Sequence, residues 1–132
     1  MLPQLGAVLA AYLLGAIPFG YLMARLVKGV DIRRFGSGAT GGTNVLRVLG
    51  WGPALATAVL DLLKGTGATL LGAYVENRFG AFPGLPGPGW TASLCGLAAV
   101  AGHSWPVYLG FKGGKSVATG AGSMLGLFPA YL

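Results

Sequence analysis

Four long runs of apolar residues, separated by polar and glycine-rich segments, form the main pattern of the chain. They cover about Leu5 to Leu26, Trp51 to Val75, Trp90 to Phe111 and Val117 to Leu132. A membrane-spanning helix needs about 20 residues to cross ~30 Å of hydrocarbon, a length that the first three runs reach and the fourth only approaches. The pattern predicts one integral membrane domain over residues 1–132, an all-α bundle of about four transmembrane helices.

Composition argues against a water-soluble domain. Only 9% of the residues are charged and 54% are hydrophobic, whereas a soluble domain carries about 25% charged residues. No basic residue precedes the first run, so we interpret it as a retained helix rather than a signal peptide. Cys95, the single cysteine, lies inside an apolar run and is expected to be a buried, unreactive thiol.

The loops between the runs differ in charge. The first and third loops carry Arg25, Lys28, Arg33, Arg34, Arg47, Lys112 and Lys115. The second loop, about residues 76–89, carries only Arg78, which Glu76 balances. The positive-inside rule therefore predicts cytoplasmic first and third loops and an N-terminus outside the cell. Because the basic residues lie between apolar runs, the net charge of +6 does not indicate a nucleic-acid partner.

The first loop combines glycine with short polar side chains over residues 36–44. Its candidate ligands are Ser37, Gly38, Gly41, Gly42, Thr43, Asn44 and, slightly further on, Arg47. Glycine permits backbone turns whose successive N–H groups bind anions, and an arginine guanidinium matches a phosphate. The alternative is a flexible linker in which Thr43 or Asn44 caps the next helix. A Walker A loop is excluded, because no Gly-Lys-Ser/Thr follows at the required spacing.

The third loop places Lys112 and Lys115 on either side of Gly113-Gly114, directly before the fourth run. Backbone N–H groups and the positive dipole end at a helix start favour an anion, so these four residues are a candidate phosphate cradle. The alternative is a basic segment that anchors the helix end at the lipid headgroups. His103, the only histidine, is either structural or part of this site. With one histidine and three acidic residues, no metal or other cofactor is expected.

Two ionisable residues lie inside the second run. Asp61 and Lys64 are three residues apart and share a helix face, about 15 Å from the start of that run. Ionisable groups at such depth normally pair and face the bundle interior. They are therefore either a structural ion pair or a support for the site. Gly122 and Gly126 form a GxxxG pattern, a weak signal of helix packing.

Three segments together resemble the bacterial acyl-phosphate:glycerol-3-phosphate acyltransferases, the PlsY family. Residues 37–47 resemble the family's first motif, residues 102–119 resemble its second, and Asp61 with Lys64-Gly65 matches its second helix. The resemblance covers nearly the whole chain in order. The departures are Ala39 for the usual Asn, Gly42 for Ala, Trp105 for Phe and Ser116 for Gly.

The resemblance implies transfer of a fatty acyl group from acyl phosphate to glycerol 3-phosphate at the cytoplasmic face of the cell inner membrane. The products would be 1-acylglycerol 3-phosphate and phosphate, in the first acylation of phospholipid biosynthesis. The resemblance implies that Lys112, Lys115 and Arg47 bind phosphates and that Ser37 takes part in catalysis. His103 would either accept the hydroxyl proton or bind phosphate while the departing phosphate accepts that proton.

The family has about seven membrane crossings and a C-terminal motif with His, Asn and Arg. The resemblance therefore implies a chain truncated after its fourth helix, with little activity on its own. Two other functions remain open from the residues alone. One is a transporter or channel segment for a phosphorylated solute, and the other is a non-catalytic relative that keeps the motifs.

Overall fold

The computed structural model describes residues 1–131, a range in which it contains six α-helices and no strand. The helices are α1 (Leu2–Gly15), α2 (Phe19–Lys28), α3 (Gly42–Leu49), α4 (Trp51–Phe79), α5 (Trp90–Ser104) and α6 (Val117–Tyr131). Two short 3₁₀ turns lie at Ile32–Arg34 and Val107–Leu109. The all-α prediction is confirmed. The predicted end of the fourth run at Leu132 lies outside the described residues.

Two segments are long and apolar enough to cross a membrane. They are Leu2–Lys28, which comprises α1 and α2, and α4 at Trp51–Phe79. The helix α6 is apolar over Val117–Pro129 but shorter. In a membrane the exposed apolar side chains of these helices, such as Leu63 and Phe128, would face lipid or further protein.

The first apolar run forms two helices, so the prediction of one uninterrupted helix from Leu5 to Leu26 is wrong at Pro18. Proline has no N–H to donate and its ring clashes with the preceding helical turn. The chain leaves the helix after Gly15 and starts again at Phe19. The break leaves the carbonyl of Ile17 outside the regular helical bonding, where it accepts a hydrogen bond from Lys64 Nζ.

The third run also ends earlier than predicted, at Ser104 instead of about Phe111. Pro106 follows closely and disfavours helical geometry in the residue before it. The chain then makes the turn Val107–Leu109 and passes through left-handed backbone at Gly110 and Phe111. The early end of α5 returns the third loop towards His103.

The helix α4 is central and packs against α1, α3, α5 and α6. Close approach depends on small residues, as is usual between membrane helices. A Cβ at Gly122 would overlap the Leu62 carbonyl, and one at Gly126 would lie 2.8 Å from Thr69 Cβ. The GxxxG pattern therefore marks the face of α6 that packs on α4.

Candidate active site

A cavity of about 430 Å³ opens among α3, α4, α6 and the end of α5. Its polar lining consists of Ser37, Gly41, Gly42, Thr43, Asn44, Arg47, Asp61, His103, Lys115 and Ser116. All of these except Ser116 are residues that the sequence predicts for the site. The structure thus brings the first loop, the second helix and the third loop together. Gly38, Lys64, Lys112, Gly113 and Gly114 do not line the cavity.

One wall of the cavity is the start of α3, whose first backbone N–H groups have no side-chain cap. Gly41 is the N-cap residue and offers no acceptor. The unpaired N–H groups at a helix start carry partial positive charge and attract anions. This short helix lies within the segment that the sequence treats as a loop.

A second helix start, that of α6, lies at the same cavity through Val117 and Ala118. Ser116 precedes it in left-handed backbone (φ 62°), which is uncommon for serine. Its hydroxyl lies 2.6 Å from Ser104 Oγ and donates to the Val100 carbonyl at 2.8 Å. The hydroxyl is therefore turned away from the N–H groups of α6. Two helix N-termini face one cavity, and Arg47 and Lys115 add full positive charges at its edge.

Asn44 shapes the loop that carries Ser37. Its Oδ1 accepts from the Ser37 N–H at 3.1 Å, and its Nδ2 donates to the carbonyls of Phe35 and Ala39, both at 3.0 Å. Gly36 has φ 53°, and a Cβ there would overlap Asn44 Oδ1. The amide of this buried residue therefore holds the loop that carries Ser37.

A buried cluster of Asp61, Lys64 and His103 adjoins the cavity. Lys64 Nζ is 3.0 Å from Asp61 Oδ1 and 2.9 Å from His103 Nδ1. The same Nζ donates to the Ile17 carbonyl at 2.8 Å. The side chains of Asp61 and Lys64 are 2% and 1% exposed. The predicted ion pair exists, and through Asp61 and His103 it borders the cavity.

Of the predicted phosphate cradle, Lys115 lines the cavity, but the N–H groups of Gly113 and Gly114 are bonded elsewhere. The Gly113 N–H donates to the Ser104 carbonyl and the Gly114 N–H to the His103 carbonyl, each at 3.1 Å. Carbonyls at a helix C-terminus need such partners, and these two glycines supply them to α5. Their N–H groups are therefore not available to an anion. The exposed Lys112 lies beyond the lining, as does Gly38, where a Cβ would lie 3.0 Å from the Arg33 carbonyl.

Part of the basic charge of the first loop is already neutralised. Arg33 and Asp31 form an ion pair at 2.8 Å. The hydrogen bond from the Arg33 side chain lowers the pKa of Asp31 to about 2. Lys28 donates to the Val48 carbonyl at 2.9 Å. Within residues 1–131, Arg47 and Lys115 have no acidic partner.

The remaining lining is apolar and was not foreseen from the sequence. It consists of Ala39, Leu46, Trp51, Ala54, Leu55, Ala58, Val117, Ala118 and Ala121. The signal was available, because Ala54 and Ala58 are four residues apart and Ala118 and Ala121 are three apart. Such spacing puts small side chains on one helix face.

Comparison with known proteins identifies similar sequences along nearly the whole chain. The family profile described as glycerol-3-phosphate acyltransferase matches residues 5–132. A glycerol-3-phosphate acyltransferase of Synechococcus elongatus is 49% identical over 129 residues, 98% of this chain and 60% of the relative. One from Halalkalibacterium halodurans is 46% identical over 122 residues, 92% of this chain and 55% of the relative. The chain thus spans about 60% or less of the length of these relatives.

Two crystal structures have a similar fold. Both are of PlsY (YgiH), described as an integral membrane glycerol 3-phosphate acyltransferase. The glycerol 3-phosphate form superposes with a TM-score of 0.80 at 43% identity, covering 96% of this chain and 58% of the other. The lysophosphatidic acid form gives 0.77 at 42% identity with the same coverage.

Proposed function

The chain belongs to the glycerol-3-phosphate acyltransferase family, and from that premise we propose that it supplies the phosphate-binding part of an acyl-phosphate-dependent acyltransferase. The reaction is transfer of a fatty acyl group from acyl phosphate to glycerol 3-phosphate, giving 1-acylglycerol 3-phosphate and phosphate. The observation that carries the proposal is one cavity with an anion-attracting end and an apolar wall. A substrate with a phosphate and a fatty chain requires both.

The phosphate groups bind at the end formed by the starts of α3 and α6. Arg47 offers a planar fork of donors and Lys115 a point charge. The backbone N–H groups from Gly41 onwards add fixed dipoles that need no rearrangement during the reaction. Ser37, held by Asn44, contributes a hydroxyl at the same edge.

The fatty chain lies along the apolar wall between α4 and α6. Ala54, Ala58 and Ala121 leave room there because their side chains are single methyl groups. Trp51 and Leu55 border the same wall and extend its apolar area. The carbonyl carbon then lies where the apolar wall meets the phosphate end.

The chemistry needs little from the protein beyond positioning. Acyl phosphate is a mixed anhydride and already activated, so no covalent enzyme intermediate is required. The glycerol hydroxyl attacks the carbonyl carbon, the C–O bond to phosphate breaks, and the hydroxyl proton passes to His103 or to the departing phosphate. Holding both reactants in this arrangement supplies most of the rate enhancement. The cationic groups stabilise the charge on the leaving phosphate.

The site lies at the cytoplasmic face of the cell inner membrane. Seven basic residues in the first and third loops against one in the second support this orientation. Ser37→Cys and Gly84→Cys, each in a Cys95→Ala background, are labelled with an impermeant maleimide in intact cells. Labelling at position 84 alone is expected. Labelling at position 37 alone would contradict the proposed orientation.

The function is tested by offering palmitoyl phosphate and palmitoyl-CoA separately with glycerol 3-phosphate. The purified chain is compared with a chimera that joins it to the C-terminal part of the Synechococcus elongatus relative. We expect the chimera to release phosphate from palmitoyl phosphate and to form the lysolipid, and the chain alone to do so weakly. Faster use of the CoA donor contradicts the donor assignment. If a folded chimera forms no product while the intact relative is active, the proposed function is contradicted.

A further inference from the structure

We infer that Lys64 is a positioning residue that holds His103 in the tautomer with the ring proton on Nε2, so that His103 donates a hydrogen bond to a phosphate oxygen in the cavity. The identity of that acceptor rests on the proposed function, whereas the tautomer follows from the contacts of Lys64. His103 is thereby removed from the role of proton acceptor.

The contacts of Lys64 determine which histidine nitrogen carries the proton. A lysine ammonium has three N–H donors and no acceptor. Three groups lie within 3.0 Å of Nζ: the Ile17 carbonyl at 2.8 Å, His103 Nδ1 at 2.9 Å and Asp61 Oδ1 at 3.0 Å. A proton on Nδ1 would set one N–H against another at this distance. Nδ1 therefore accepts from Lys64, and the ring proton is on Nε2.

The neighbouring carboxylate supports the charged form of Lys64. Asp61 is the one acidic residue in contact with Lys64 in the described part of the chain. A carboxylate and an ammonium buried together form a neutral unit, which is the usual arrangement for ionisable groups at this depth. Asp61 Oδ1 is 3.6 Å from His103 Nδ1, farther than Lys64 Nζ, so the ammonium is the closer partner of the ring.

The other ring nitrogen faces the start of α3. A Cβ at Gly114 would lie 2.6 Å from His103 Nε2 and 3.1 Å from the Gly41 nitrogen, so the two nitrogens flank one small space. His103 is 6% exposed and lines the cavity. Among residues 1–131 no acceptor bonds Nε2. Nε2 can therefore donate into the cavity, where a phosphate oxygen at the helix start would be its acceptor.

The chain makes the tautomer directly measurable, because His103 is its only histidine. Chain labelled with ¹⁵N-histidine, purified in detergent at neutral pH, gives a single imidazole. The expected spectrum has a protonated Nε2 and an unprotonated Nδ1. A protonated Nδ1, or a mixture of both tautomers, overturns the inference.

Variants then test whether Lys64 sets the tautomer. Lys64→Met combined with Asp61→Asn removes the ammonium without leaving an uncompensated buried charge, and a shift towards a mixture of tautomers is expected. Lys28→Met is the matched control, because Lys28 also donates to a backbone carbonyl but has no contact with His103. An unchanged Nε2–H tautomer in the folded double variant contradicts the role of Lys64.

Titration of the labelled wild-type chain with glycerol 3-phosphate tests the acceptor. The Nε2 resonance is expected to move and Nδ1 to move little. An Nε2–H that phosphate leaves unchanged overturns the donor role. If the acyl-transfer assay fails while glycerol 3-phosphate moves Nε2, the proposed function falls and the inference about His103 stands.

Discussion

Two helix starts at opposite ends of the molecule, those of α5 and α3, differ in whether a side chain caps them. At the end formed by the second loop, the Glu76 carboxylate accepts from the backbone N–H of Gly89 and, at 2.9 Å, from that of Thr91, and so caps α5. At the other end α3 starts without a side-chain cap, and Ser116 turns its hydroxyl away from α6. We call the end with the capped start of α5 the closed end, and the end with the uncapped start of α3 the open end.

The difference follows from how the three acidic residues of the chain are used. Glu76 caps α5, Asp31 pairs with Arg33, and Asp61 pairs with Lys64. No carboxylate remains for the starts of α3 and α6. Since the unpaired N–H groups of a helix start carry partial positive charge, the open end can bind an anion from outside the chain. We therefore expect the open end, and not the closed end, to bind a ligand.

The largest effect is expected from breaking the buried pair beneath the open end. Lys64→Met leaves the Asp61 carboxylate buried without a partner, which typically costs ~3–5 kcal/mol of stability. Adding Asp61→Asn should restore much of that loss. Thermal unfolding in detergent measures both variants, and equal stability of Lys64→Met and the wild type would mean that the pair is dispensable.

A second, smaller effect separates cations at the open end from cations elsewhere. Lys115→Ala and Arg47→Ala should each weaken use of glycerol 3-phosphate by about 10- to 150-fold in the chimera, equivalent to a lost charged hydrogen bond of ~1.5–3 kcal/mol. Lys28→Ala is the control, because Lys28 donates to the Val48 carbonyl. Steady-state kinetics measure these losses. Equally small losses in all three variants would mean that these cations only anchor helix ends.

A substitution at the closed end should lower stability and leave ligand binding unchanged. Glu76→Ala removes the cap of α5 and should cost ~0.5–2 kcal/mol. Binding of glycerol 3-phosphate should be unchanged, because Glu76 does not line the cavity. Thermal unfolding and a binding titration are made on one preparation. A loss of binding without a loss of stability would contradict the separation of the two ends.

The smallest effect concerns Asp31, whose pKa is lowered to about 2 from 3.8. A carboxyl with a lowered folded-state pKa contributes stability that is present above about pH 4 and is lost as the pH falls towards 2. Asp31→Asn should therefore be less stable than the wild type at pH 6, and the difference should shrink below about pH 4. A difference that does not change with pH would show that the pair contributes no net charge interaction.

Much of the fold could be predicted from the apolar pattern, because helix length and hydrophobicity are local properties. The ion pair of Asp61 and Lys64 was also predictable, since three residues apart on one helix means one face. Pro18 gave a local signal for the break in the first run. The short helix α3 gave a weaker signal: Thr43 and Asn44 are candidate caps, but Gly42–Leu49 is only eight residues long and begins in a glycine-rich segment.

The site was predictable as a set of residues but not as a set of contacts. Gly113 and Gly114 resembled an anion cradle, yet their N–H groups bond the carbonyls that end α5. Lys64 reaches His103, 39 positions away, and the Ile17 carbonyl, 47 positions away. Where a donor finds its acceptor depends on tertiary neighbours, which spacing along the chain does not reveal.

The difference between the two ends can be measured at the backbone N–H groups themselves. Chain labelled with ¹⁵N is titrated with glycerol 3-phosphate while the amide resonances of Gly41, Gly42 and Val117 are compared with that of Thr91. We expect saturable shifts at the first three, which lie at the starts of α3 and α6, and none at Thr91, whose N–H donates to Glu76. Equal shifts at all four, or no shift at Gly41 and Gly42, would contradict an anion site at the open end.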